Sequence, residues 1–171
     1  MKKTQKYFII SCFIAIIFGT LQHFAYDITN NNILVGLISP VNESVWEHLK
    51  LVFLPITIFA IITKIKYDKK NTMISAAFSI IISSILISII HYAFKAINIE
   101  VMAIDIIAYI ISMILAFYIM YIFYNNKLLI QYEAIGYILL LVVLIIFALF
   151  TIYPPRFELF LDTTLNLYGI P

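Results

Sequence analysis

His23, His48 and His91 each interrupt a long apolar run a turn or two from its end. Neutral imidazole is a common metal ligand, and three rings at one depth would hold Zn²⁺ with a fourth position left for water. Glu43 or Glu47 would then act as the catalytic base, and Asp27 or Asp105 would fix a ring's tautomer from outside the ligand set. The densest group of polar side chains is Ser39 to Lys50, reading S-P-V-N-E-S-V-W-E-H-L-K. Within it Asn42, Trp46 and Lys50 are candidate substrate contacts, joined by Arg156 from the far end of the chain; Lys50 and Arg156 suit an anionic head group. No H-E-x-x-H, EF-hand, P-loop or glycine-rich nucleotide loop occurs, so a metal site would have to be assembled from separate helices. Nothing around Ser44 marks a nucleophile elbow. Plainer roles exist for the same residues. Glu43, Glu47 and Lys50 have the i, i+4, i+7 spacing of an ion-pair stripe, and Trp46, Tyr26, Tyr92 and Tyr153 suit an aromatic belt.

What must position these groups is a membrane domain. Apolar residues make up 64% of 171 and charged residues 12%, with a mean hydropathy of +1.05. Soluble domains sit near about 45 to 50% and about 25%. A net charge of +2, with its lysines in short loops, excludes a nucleic-acid partner. Cys12 is the sole cysteine, so no internal disulfide forms. The apolar stretch before it is too short for a lipoprotein leader. Runs of spanning length predict an all-α polytopic protein with five transmembrane helices, at about 7–26, 41–64, 73–95, 102–124 and 132–153, forming one domain over 1–171. Ser39-Pro40 starts the second helix, with Ser44 and Glu47 offering an alternative capping box, and Pro55 kinks it.

Orientation follows from Lys and Arg. Lys2, Lys3, Lys6, Lys64, Lys66, Lys69, Lys70 and Lys127 fall on the N-terminal side of the membrane, against Lys50, Lys95 and Arg156 on the other. This places the N-terminus inside and the C-terminal tail, 154–171, outside. All three histidines then gather at the outer face with Asp27, Glu43, Glu47, Glu100, Asp105, Glu158 and Asp162, while Asp68 and Glu133 lie inside. Ionisable groups within apolar runs normally face a bundle interior or a wet cavity and serve a function. Repeated serines on the third helix (Ser75, Ser79, Ser83) read as close helix packing. The tail is too apolar for a free end and is expected to lie over the outer ends of the bundle.

The wording of 39–50, with Y-P-P at 153–155, L-F-L-D and a closing Y-G-I, resembles an uncharacterised family of small bacterial multi-pass membrane proteins. The resemblance implies a shared membrane fold and supplies no catalytic residues. The seven-helix intramembrane metal hydrolases, such as the alkaline ceramidases, are similar in having three histidines and carboxylates near one membrane face. The resulting expectation is a protein of the bacterial cytoplasmic membrane with an outward polar pocket, acting with Zn²⁺ as a hydrolase of a lipid or lipid-linked substrate. The alternatives are a small transporter or solute-binding protein, and an accessory subunit that docks a partner.

Overall fold

The computed structural model describes residues 3–67, 69–99 and 101–171. The expectations for Lys2, Asp68 and Glu100 lie outside the described residues. Five helices are long and apolar enough to cross a membrane: Lys3–Gln22, Val45–Tyr67, Thr72–Lys95, Met102–Asn125 and Lys127–Ile152. The chain is an all-α multi-pass membrane protein. In chain order the elements are α1 (Lys3–Gln22), the short α2 (Ala25–Ile28), α3 (Ile33–Gly36) and α4 (Val45–His48), then α5 (Lys50–Tyr67), α6 (Thr72–Lys95) and α7 (Met102–Asn125). A 3-10 turn over Lys127–Tyr132 leads into α8 (Glu133–Ile152), and the tail closes with the two-residue strands β1 (Leu161–Asp162) and β2 (Leu167–Tyr168).

These helices are apolar on every face, so hydrophobicity cannot choose which side packs. Small residues choose it, because they let backbones approach. On α1 the buried set includes Ser11, Ala15 and Gly19; on α6 it includes Ser75, Ala76, Ser79 and Ser83; on α7, Ala108, Ser112 and Ala116. Large residues such as Phe13, Ile65 and Met102 point outward, where lipid covers them. The packing puts α6 against α5, α7 and α8, and α1 against α5 and α7. Two glycines mark the closest approaches. A Cβ at Gly136 would stand 2.2 Å from the Ile74 amide nitrogen, and one at Gly19 would stand 2.2 Å from the Tyr109 hydroxyl and 2.8 Å from the Leu51 carbonyl oxygen. Leu51 is four residues before Pro55, whose missing N–H leaves that carbonyl without its helical donor.

Of the boundaries that differ from those read off the sequence, two bear on the site. The first helix ends at Gln22 and is followed by a separate turn, α2, rather than running to residue 26. The second begins at Val45, not near Pro40, because the amides ahead of it are captured by side chains. Val41 N–H donates to Glu47 Oε2 (3.1 Å), Glu43 N–H to Asp162 Oδ2 (3.0 Å) and Ser44 N–H to Asn42 Oδ1 (2.9 Å). Ser44, extended at φ −70° and ψ 151°, is the cap, its hydroxyl accepting from Glu47 N–H at 3.4 Å. The opposite end of the bundle is tied structurally: Glu133 Oε2 accepts from Met73 and Ile74 N–H at the start of α6, and the Asn71 amide reaches the Phe123, Tyr124 and Asn126 carbonyls.

Candidate metal centre

Because α4 starts only at Val45, Glu43 stands on the approach to the helix instead of sharing its face with Glu47. It turns toward α1, where His23 N–H still bonds to Gly19 O (3.2 Å) and prolongs the helical path by a residue. His48 arrives from α4. Three ligand-type atoms meet there. His23 Nε2 lies 3.1 Å from His48 Nε2, and Glu43 Oε2 lies 3.7 Å from the first and 3.5 Å from the second. Atoms bound at about 2.0 to 2.1 Å around a tetrahedral ion stand about 3.3 Å apart. The observed triangle brackets that edge.

The protonation pattern of His48 follows from its other neighbour. Its Nδ1 is 2.8 Å from the Ser44 carbonyl oxygen, which can only accept, so Nδ1 is assigned a hydrogen and Nε2 is the nitrogen turned to the triangle. A backbone carbonyl fixing the tautomer from behind is the usual support of a metal-binding ring. Both imidazoles are half-buried, and Glu43 is the open corner, its side chain 47% exposed. His23 and then His48 beside it hold the Glu43 carboxyl well below the usual carboxylate range, against a smaller opposing push from burial.

The C-terminal tail fixes that corner. Asp162 is fully buried; Oδ2 accepts from Glu43 N–H, while Oδ1 collects Thr164 N–H (2.7 Å), Thr164 Oγ1–H (2.6 Å) and Leu165 N–H (3.1 Å). Burial raises the Asp162 pKa, but these hydrogen bonds outweigh it and keep the carboxyl below its usual range. Asn42 donates to Gly169 O at 2.6 Å, across 127 positions of sequence. Trp46 packs with tilted rings against Phe160 (4.8 Å between ring centroids), Phe147 (5.0 Å) and Phe150 (5.5 Å), which seats the tail on α8.

Glu47 and Lys50, expected respectively as base and head-group contact, lie elsewhere. Lys50 is fully buried, and its Nζ bonds to Glu47 Oε2 (2.5 Å), Thr151 Oγ1 (2.6 Å), Gly36 O (2.7 Å) and Ser39 O (3.2 Å). Glu47, also buried, meets the Thr151 hydroxyl at 3.0 Å. An ammonium occupied in this way has no hydrogen left for a head group. Asn42 and Trp46, expected as substrate contacts, are engaged with the tail. Arg156 is exposed and, among the described residues, has no hydrogen bond or ion pair with these groups; Asp27 is likewise exposed.

His91 is not in the triangle. Its Nδ1 is 2.8 Å from Asp105 Oδ1, so the third ring, expected as a ligand, is held instead by a carboxylate from α7. The helix phase explains this: the Asp105 face of α7 looks at both α6 and α1, and its carboxylate reaches His91 first. Register places this pair at the level of the triangle. Tyr109 donates to Ile16 O (3.0 Å) and abuts Gly19. One turn further along the two antiparallel helices come Asp105 and His23.

Two contributors escaped the sequence reading. Thr151 is a single hydroxyl in an apolar run and carries no local signal. Gly169 lies in the Y-G wording of the tail, but its use of a backbone carbonyl toward Asn42 leaves no trace in residue type. No curated protein and no solved structure matches this chain. Residues 1–170 match the family model DUF6512, and the chain belongs to that family, described as one of unknown function.

Proposed function

We propose that this protein is a membrane-embedded, metal-dependent hydrolase whose centre is formed by His23, His48 and Glu43. Two imidazoles and one carboxylate leave a tetrahedral ion one open position, the arrangement in which Zn²⁺ lowers the pKa of bound water toward about 7. The observation that carries this reading is the triangle of 3.1, 3.5 and 3.7 Å closed by Nε2, Nε2 and Oε2, with the His48 tautomer set from behind by Ser44. A lipid or lipid-linked substrate fits the setting. An apolar groove of about 250 Å³ lined by Ile90, Phe94, Ile104, Ile107, Ala108 and Ile111 runs along the α6/α7 seam that also carries His91 and Asp105. In the orientation given by the positive charges, the centre opens on the outer face of the bacterial cytoplasmic membrane.

Metal content tests the centre. Protein stripped with chelator in detergent and reloaded is expected to retain about one Zn²⁺ per chain. H23A, H48A and E43Q are each expected to weaken binding by more than about a hundredfold, the upper end of what is lost with outer-shell partners alone. Equal zinc in the wild type and in an H23A/H48A double variant, or none in either, sinks the proposal. Reporter fusions after residue 70 and at residue 171 are expected to report opposite sides, with the first inside; both on one side would remove the orientation.

A transporter draws support from one observation. The Ser83 and Ser112 hydroxyls are buried on α6 and α7 without a protein hydrogen-bond partner, about two turns below His91 and Asp105. Beyond them Ser79, Ser75 and Thr63 are buried too, but each hydroxyl is spent on a carbonyl of its own helix or its cap (Ala76, Asn71 and Phe59), and the neighbouring Ala76, Ile80, Ile56, Ala60, Ala116, Phe117 and Met120 are apolar. The hydrolase reading therefore accounts for more of the site.

A further inference from the structure

We propose that His91, oriented by Asp105, is the proton acceptor beside the metal centre and not one of its ligands. This rests on the hydrolase reading and names a residue that the reading leaves without a role. A metal-bound water needs a base, and the two glutamates of the opening motif are both committed, Glu43 to the triangle and Glu47 to buried Lys50. The remaining imidazole is built as a base would be. Asp105 Oδ1 takes the Nδ1 hydrogen of His91 at 2.8 Å, which leaves the lone pair on Nε2 and places a negative charge where it stabilises the imidazolium.

Register brings the dyad toward the triangle. The Tyr109 contact with Ile16 and Gly19 sets the α1/α7 register, and one turn onward this brings Asp105 level with His23. The ligand-type atoms that lie within 4.8 Å of one another come from His23, Glu43 and His48, without His91. The dyad is partly open, with side-chain exposures of 26% for His91 and 46% for Asp105, so substrate and water can reach it. Among the described residues, the other charges around it are the Lys95–Glu158 ion pair (2.6 Å), one turn further along α6 and in the tail, and the triangle.

The step balances with water as its co-reactant. Water at the open position loses a proton to His91 Nε2, its oxygen bonds to the electrophilic carbon or phosphorus of the substrate, the bond to the leaving group breaks, and His91 returns the proton to that leaving group.

The test uses the full-length protein in mixed micelles, zinc-loaded, with a 4-methylumbelliferyl fatty-acid ester as probe. H91A is expected to keep zinc at wild-type stoichiometry, to lose about 10²- to 10⁴-fold in rate, and to regain rate with added imidazole. H91Q, which fills the same space, is expected to keep zinc and to show the loss without the rescue. D105N is expected to keep zinc and to lose rate, since the amide can hold the wrong tautomer. Loss of zinc from H91A and H91Q would make His91 a ligand and overturn the proposal. So would an unchanged rate in H91A, or a loss that imidazole does not restore. A wild type that binds no zinc, or binds it without turning over the ester, fails at the earlier reading, and this role falls with it.

Discussion

Lys50→Met is expected to cost the folded protein about 3 to 5 kcal/mol, the loss associated with removing one partner of a buried ion pair. Lys50 has no exposed surface, and its ammonium joins four separate pieces: the α3 end at Gly36, the Ser39 carbonyl, Glu47 on α4 and Thr151 on α8. Without it, the Gly36 and Ser39 carbonyls lose this donor and the Glu47 carboxylate loses its counter-charge, in a place where water does not replace it. Glu47→Gln is expected to be destabilising for the mirrored reason, since it leaves the ammonium without a counter-charge. Replacing both together by apolar residues of similar volume is expected to cost less than the sum of the two, because the desolvation penalty of the pair disappears with the pair. SDS unfolding of purified protein measures all three. Zinc stoichiometry of the fraction that remains folded is expected to be unchanged. Wild-type SDS resistance in K50M combined with lost zinc would move Lys50 from the scaffold into the site.

The opening motif shows how much of such a site can be read in advance. Its importance was legible, because carboxylates and an imidazole inside an apolar run need partners. The division of labour within it was not. On one continuous helix Glu43, Glu47 and Lys50 share a face. In the folded chain the helix starts two residues after Glu43 and is broken at Leu49, so Glu43 goes to the histidines and Glu47 to Lys50. The late start comes from side chains that intercept backbone amides, Asn42 locally and Asp162 from the tail. A contact with a residue 119 positions away lies beyond any periodicity argument.

The five spans were legible for a simpler reason: length and hydropathy follow from bilayer thickness, whatever packs against what. Which faces pack was only partly legible. Ser75, Ser79 and Ser83 announced the buried side of α6, and all three are buried. Gathering the histidines at one end needed only the alternation of five spans. Whether His91 meets the other two depends on helix rotation and on Asp105, which a pattern of apolar residues does not fix when every face is apolar. The 2.8 Å bond to Asp105 is what holds the ring where it is.

The tail carries the second large expected effect. Asp162→Ala is expected to weaken Zn²⁺ binding about 10- to 100-fold, the range for an outer-shell partner that orients a ligand, although Asp162 lies in none of the spanning helices. Its carboxylate works at both ends. Oδ1 closes the turn through Thr164 and Leu165, and Oδ2 holds the Glu43 amide, so the turn geometry is passed directly to the backbone of the proposed ligand. Alanine removes both ends and leaves Glu43, already the open corner, free to swing outward. Thr164→Val removes only the hydroxyl hydrogen bond, keeps the two backbone donors on Oδ1, and is expected to have a far smaller effect. Asn42→Ala is expected to fall between them, since it frees Gly169 and the Ser44 amide but leaves Asp162 in place. Zinc competition against a chelating dye gives the affinities, and limited proteolysis reports whether the tail has lifted. The ordering of D162A, N42A and T164V is the informative result, because general damage to the tail would release it in proteolysis without ranking the affinities by closeness to Glu43. If D162A frees the tail from its seat on Trp46 while zinc affinity stays at the wild-type value, the tail is a cover over the bundle and takes no part in placing the carboxylate.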